Sequence, residues 1–175
     1  MVSSDVGWYY YFARRFDDAI EHCQRTLDLD PGFYWAELCI ELALQQQGEW
    51  NALAERGRLR IQAIDSEAEE LTRMDGGDPR GAAQVVWEWR LRRMESYAQE
   101  GYISPPDLAQ LHMALGRKER ALGLLEDGFE ARSGWILPFL TVDPLFDPLR
   151  GDPRFEDLVA RIAGRNLQAS RQPTL

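Results

Sequence analysis

Apolar residues recur along this chain at three- and four-residue spacing, and glycine or proline interrupts them at intervals suited to helices. The pattern predicts helices over 3–13, 16–29, 33–47, 49–64, 66–74 and 80–99, then 105–115, 118–131 and 154–165. Asp30–Pro31 stops the second helix, because proline cannot continue the hydrogen-bond ladder. Gly48 ends the third, Asp75–Gly76–Gly77–Asp78–Pro79 breaks the chain, and Gly101 ends the long helix that follows. Ser104 stands where it would cap the next helix, with Pro105 at its first position. In the helix over 80–99, Trp87, Leu91, Met94 and Ala98 fall on one face, which is expected to be core, while Val86, Trp89 and Arg93 share another. Phe155, Leu158, Val159 and Ile162 share a face of the last helix. No strand pattern of convincing length occurs, so the expected fold is all-α.

The helices recur in pairs. Ala19 and Ala121, where a second helix would pass close to a first, are 102 residues apart, three units of 34. Gly48 and Gly116, each ending a first helix, are 68 apart, two units of 34. The third unit departs from the period: Trp87 replaces a small residue, the Gly76–Gly77 break falls early, and the helix after it is too long. The units are therefore 1–31, 33–64, 66–101 and 105–131, followed by a cap over 135–165 and a flexible tail over 166–175. Together 1–165 read as one domain. Within the cap, Asp143–Pro144, Asp147–Pro148 and Asp152–Pro153 are three helix-start or tight-turn signals, since aspartate accepts from free N–H groups while proline presets φ.

Composition narrows the function. The 175 residues are 45% hydrophobic and 11% aromatic, enough for a continuous core. A formal net charge of -9 argues against a sequence-independent nucleic-acid binder, which needs a basic footprint. No segment approaches the roughly 18 apolar residues of a membrane span. The N-terminal MVSSDVGWYYYFARR has no basic leader, so a cytoplasmic location is expected. Cys23 and Cys39 fall at core-like positions, as small buried hydrophobes or, alternatively, a redox pair.

These spacings resemble the tetratricopeptide repeat. The likeness is carried by Gly7, Tyr10, Phe16, Ala19 and Pro31 in the first copy, Gly48 and Trp50 in the second, and Leu108, Ala109, Gly116 and Ala121 in the last. Gly101–Tyr102–Ile103–Ser104–Pro105, Ala114–Leu115–Gly116, Arg120–Ala121–Leu122, Phe129–Glu130–Ala131–Arg132–Ser133–Gly134–Trp135 and the Asp-Pro tail through Phe155 are similar to one bacterial subset. In that subset such repeats lie at the C-terminus of signalling proteins, behind a winged-helix, cyclase or kinase domain. Pro106 departs from the subset, which often has an aromatic there. The chain also begins inside the first helix of its first repeat, consistent with either a fragment of a longer regulator or a free-standing repeat protein.

The resemblance implies a right-handed superhelix of about four helix pairs with a C-terminal capping helix, its first helices lining a concave groove. It selects Trp8, Tyr11 and Phe12 in the first copy, Trp35, Leu38, Leu42, Gln45 and Gln46 in the second, and Gln110 and Met113 in the last. Rings beside amides suit an extended peptide, although the same rings would serve equally as packing between helices. A small-ligand pocket edged by Trp87, Trp89, Arg90 and Arg93 is a second expectation, set against a solvated arginine face paired with Glu88, Glu95 or Glu100. Self-association as a homodimer through the incomplete first repeat is a third.

Enzymatic chemistry finds little support in the sequence. His22 and His112 are isolated, and His112 lies on an apolar face. No His, Cys and carboxylate set has metal spacing, and Gly76–Gly77 lacks the strand and lysine of a phosphate loop. Glu67, Glu69 and Glu70 cluster at a helix start, where the macrodipole accounts for them. The expectation is a non-catalytic interaction module that needs no cofactor or metal, binds a protein or peptide, and contacts neither nucleic acid nor membrane.

Overall fold

The computed structural model describes residues 4–75 and 78–169, and every described regular element is helical. The helices are α1 (Ser4–Phe12), α2 (Phe16–Leu29), α3 (Tyr34–Gln47), α4 (Trp50–Ile64), α5 (Glu69–Met74), α6 (Pro79–Glu100), α7 (Pro105–Ala114), α8 (Lys118–Glu130) and α9 (Pro153–Ala169). Two short 3-10 segments, Leu137–Phe139 and Pro144–Leu149, lie between α8 and α9. The Gly76–Gly77 pair of the expected break lies outside the described residues.

Three first helices share one helix end, which α8 also has at Arg132 (φ 54°). Arg14, Gly48 and Gly116 all adopt left-handed backbone, at φ 61, 74 and 71°. Each donates its N–H to the carbonyl three residues back, and the next residue donates five back. The pairs are Arg14 to Tyr11 with Arg15 to Tyr10, Gly48 to Gln45 with Glu49 to Leu44, and Gly116 to Met113 with Arg117 to His112. This is how a helix satisfies its last orphan carbonyls before reversing. Gly48 follows Arg14 by 34 residues and Gly116 follows Gly48 by 68.

The position between them, Ala82, shows no such turn, because α6 passes straight through it. The break between helices comes earlier, since α5 ends at Met74 and α6 begins at Pro79. There Asp78 accepts from the N–H groups of Arg80 at 2.9 Å and Gly81 at 3.0 Å, which caps α6. α5 is thereby shortened to six residues and α6 lengthened to 22. The expected face of α6 is core only in part: Trp87 and Leu91 are buried, Met94 is half-buried and Ala98 is exposed. Periodicity fixed which residues share a face; it could not report where the packed neighbours stop.

The chain divides into two compact units, with the boundary inside α6 between Arg93 and Met94. In the first unit α1 packs on α2 and α3, α2 on α3, α3 on α4, and α4 on α5. Gly7 is required at the α1–α2 crossing, since a Cβ there would overlap the Cys23 sulfur. Gly57 plays the same part on α4, where a Cβ would overlap Val86. Cys23 and Cys39 are buried free thiols.

In the second unit α7 and α8 form a close pair. Pro106 is buried in a notch formed at Gly128 and Gly134, positions where any Cβ would overlap its ring. That notch is the local consequence of Pro106 at this place. Ser104 occupies the N-cap of α7 but makes no capping hydrogen bond. Pro106 has no N–H to give, and the Asp107 N–H goes to the Ser104 carbonyl at 3.0 Å. Of the three Asp-Pro steps, two cap as expected: Asp143 accepts from the Leu145 N–H at 2.8 Å and Asp152 from the Arg154 N–H at 2.9 Å. Asp147 instead pairs with Arg150 at 2.7 Å. Phe146 stacks on Phe155 at 6.5 Å between centroids, which seats α9. α9 continues to Ala169, so the first residues of the expected tail are helical, and residues 170–175 lie outside the described set.

Candidate functional site

The residues expected to meet a partner separate by burial. Trp8 and Tyr11 are interior: their rings meet edge to face at 5.5 Å, and Phe12 closes the cluster at 5.8 Å from each. Leu38 and Leu42 on α3 are also interior, as are Gln110 and Met113 on α7. Those six side chains have almost no surface to offer a partner in this conformation. Phe12, Trp35, Gln45 and Gln46 keep partial exposure, on α1 and α3, which pack on one another. Trp35 is braced edge to face by Tyr34 at 5.1 Å. The surface that remains is smaller than the residue pattern suggested, with Trp35 at the start of α3 and Gln45 and Gln46 at its end.

The expected pocket at Trp87, Trp89, Arg90 and Arg93 is closed. Trp87, Trp89 and Arg90 are buried. Arg90, 4% exposed, gives its Nε and Nη2 to the carboxylate of Glu41, which is 0% exposed; the Nη2–Oε1 distance is 2.7 Å. Its Nη2 also lies 3.5 Å from Glu37, and its guanidinium 5.4 Å from the Tyr34 ring. Burial opposes the charge of Arg90, but Glu41 more than offsets that, so the guanidinium is held above its ordinary pKa. Only Arg93 keeps partial exposure, and its guanidinium lies 5.1 Å from the Trp89 ring.

Ion pairs also link α6 to α5. Glu88 takes Arg73 at 2.7 Å, and Arg92 reaches Glu70 and, at 3.6 Å, Glu69. Glu70 is buried. It is therefore more than a first-turn carboxylate complementing a helix dipole.

Glu37 and Glu41 on α3, Arg56 and Arg60 on α4, and Arg90 on α6 form one ionic cluster inside the first unit. Sequence reasoning missed it. A signal was present: Glu41 interrupts Leu38–Cys39–Ile40 and Leu42–Ala43–Leu44, and a carboxylate inside such a run needs a cation.

The second unit holds a separate polar group on α7. Burial pushes the Asp107 carboxyl up to about 6. His112 is buried, and burial, then Arg117 and Arg120, lower its pKa. Neither amide atom of the fully buried Gln110 has a hydrogen-bond partner among the described residues. His22 is apart from these, stacked on Tyr10 at 4.9 Å. Among the described residues no group of three or more His, Cys, Asp or Glu is arranged to hold a metal ion, and no helix is long and apolar enough to cross a membrane. No family model, curated protein or solved structure matches this chain.

Proposed function

We propose that this chain is a non-catalytic helical-repeat module, resembling tetratricopeptide repeats, that binds a peptide or partner domain through the first helices of its pairs. The observation carrying this reading is the recurrence of one helix end at Arg14, Gly48 and Gly116 in a 34-residue register. Stacked pairs of that register present their first helices side by side, as α1 and α3 do. The contact set is Phe12, Trp35, Gln45 and Gln46. By its likeness to the bacterial subset, the module belongs to a cytoplasmic signalling or transcriptional regulator. The test is affinity capture with the wild-type chain and a Trp35→Ala/Gln45→Ala variant; the variant is expected to lose the captured partner. Equal capture by both, with unchanged helical content, removes this face as the site.

A specific observation favours a second reading, self-association through α1. Tyr9 is 65% exposed and Val6 is also exposed, while the residues 34 positions on, Ala43 and Ile40, are buried. The outward face of α1 thus exposes apolar groups at positions whose counterparts on α3 are buried. Light scattering over a wide concentration range decides it, and a strict monomer rejects it.

A further inference from the structure

Among the described residues, the ionic cluster of the first unit joins three guanidiniums, Arg56, Arg60 and Arg90, to two carboxylates, Glu37 and Glu41. The excess resides on Arg56. Arg90 is held by both oxygens of Glu41, and Arg60 is in direct contact with Glu37. Arg56 is left with Glu37 at 4.0 Å and with a neutral partner, the Gln24 carbonyl oxygen, at 3.2 Å from Nη1. Its Nε is buried and has no hydrogen-bond partner among the described residues. A guanidinium taken out of water is costly unless an anion answers it. Burial dominates its environment and lowers its pKa, with Arg90 adding to the effect and Glu41 opposing it. The side chain nevertheless keeps a quarter of its surface, 25%, so a ligand can reach the terminal nitrogens.

We propose that Arg56, between α2 and α4, is a binding site for a small oxyanion, a phosphate or carboxylate group that supplies the missing negative charge. Guanidinium is the side chain best matched to such groups, because its planar donors fit two oxygens at once. Arg56 contacts Gln24 of α2 and Glu37 of α3, so the anion would sit on Arg56 where these three helices meet. The site shares no residue with the partner-binding face, although Glu37 lies on α3 with Trp35, and either can fail without the other.

The full chain is titrated with inorganic phosphate, and separately with acetate, at ionic strength held constant with chloride. Two signals are read: the NMR shift of the arginine Nε–Hε groups and the unfolding temperature. A saturable shift of the Arg56 resonance is expected in at least one titration. At ten times the half-saturating concentration the unfolding temperature should rise by about 3–5 °C. Saturation by phosphate alone assigns a phosphoryl ligand, and saturation by acetate alone assigns a carboxylate. Arg56→Gln should abolish both signals, Arg56→Lys should retain weakened binding, and Arg93→Gln should bind like wild type. The proposal is overturned if neither anion saturates, or if a folded Arg56→Gln chain shows the same saturable rise in unfolding temperature as wild type.

Discussion

The α1–α2 pair and the stretch from α3 to α6 meet the same crossing with opposite chemistry. In the first, Gly7 lets α1 approach Cys23, and both are buried. Thirty-four residues on, Glu41 stands in the place of Gly7 and Gly57 in the place of Cys23. The small residue has changed helices: Val86 comes close to Gly57, and Arg90, from the same α6, answers Glu41. The α7–α8 pair returns to the first solution, with Ala109 and Leu125 both buried at the corresponding places. A regular pair is thus held by close apolar contact, whereas the rebuilt stretch holds an internal charge that Arg90 of α6 answers.

The largest expected effect comes from breaking that charge pair. Glu41→Ala leaves a buried guanidinium without its carboxylate and should destabilise the chain by about 3–5 kcal/mol in urea unfolding. Gly7→Ala, which overpacks the regular crossing, should cost about 1–3 kcal/mol. Replacing both ion-pair members, Glu41→Leu with Arg90→Leu, should recover most of the loss, because no charge is then stranded. A double variant no better than Glu41→Ala would mean that shape rather than charge holds α6.

The difference between the two regions also explains what could be read in advance. Helix positions and the 34-residue register follow from local rules: a reversal needs left-handed backbone, and glycine marks it at Gly48 and Gly116. Arg14 carries the same backbone without that mark, so its equivalence became visible only in the hydrogen bonds. Burial of the selected side chains was less legible. Tyr11 and Gln45 sit 34 residues apart at the same place on first helices, yet one is interior and the other partly exposed. That difference depends on which neighbours lie over each, which helical spacing does not encode. The Glu41–Arg90 pair joins residues 49 apart, and no local rule predicts a contact at that separation.

The second unit allows a test of intermediate size, where polar burial is left unanswered instead of paired. Asp107 has its pKa raised from 3.8 to about 6 by burial. The folded state therefore holds this proton more tightly than the unfolded chain does. The favourable contribution is complete below pH 3.8 and is lost as pH rises through about 6. Asp107→Asn should therefore be more stable than wild type at pH 7, by about 1–2 kcal/mol after allowance for partial exposure, and nearly equal to it at pH 3.5. Unfolding curves at the two pH values check this, and a gain of equal size at both would assign the effect to packing. His112, with a lowered pKa, acts oppositely: its contribution is present above pH 6.5 and is lost on acidification. Removing Asp107 should accordingly leave a chain whose residual pH dependence in this range runs toward lower stability in acid.

The smallest effect bears on whether the three helix ends are one structure. At φ 61°, Arg14 has its Cβ crowded against the following carbonyl, a strain that Gly48 at φ 74° avoids. If the backbone there is fixed by the same two hydrogen bonds, Arg14→Gly should stabilise the chain by about 0.5–1 kcal/mol, and Gly48→Arg should destabilise it by about as much. The two changes exchange residue types between positions 34 apart, so equal and opposite shifts in the urea midpoint indicate a shared geometry. A loss of stability on Arg14→Gly would show that the arginine side chain contributes more at this turn than the backbone conformation costs. The first pair would then end by a means of its own, and the register would rest on Gly48 and Gly116 alone.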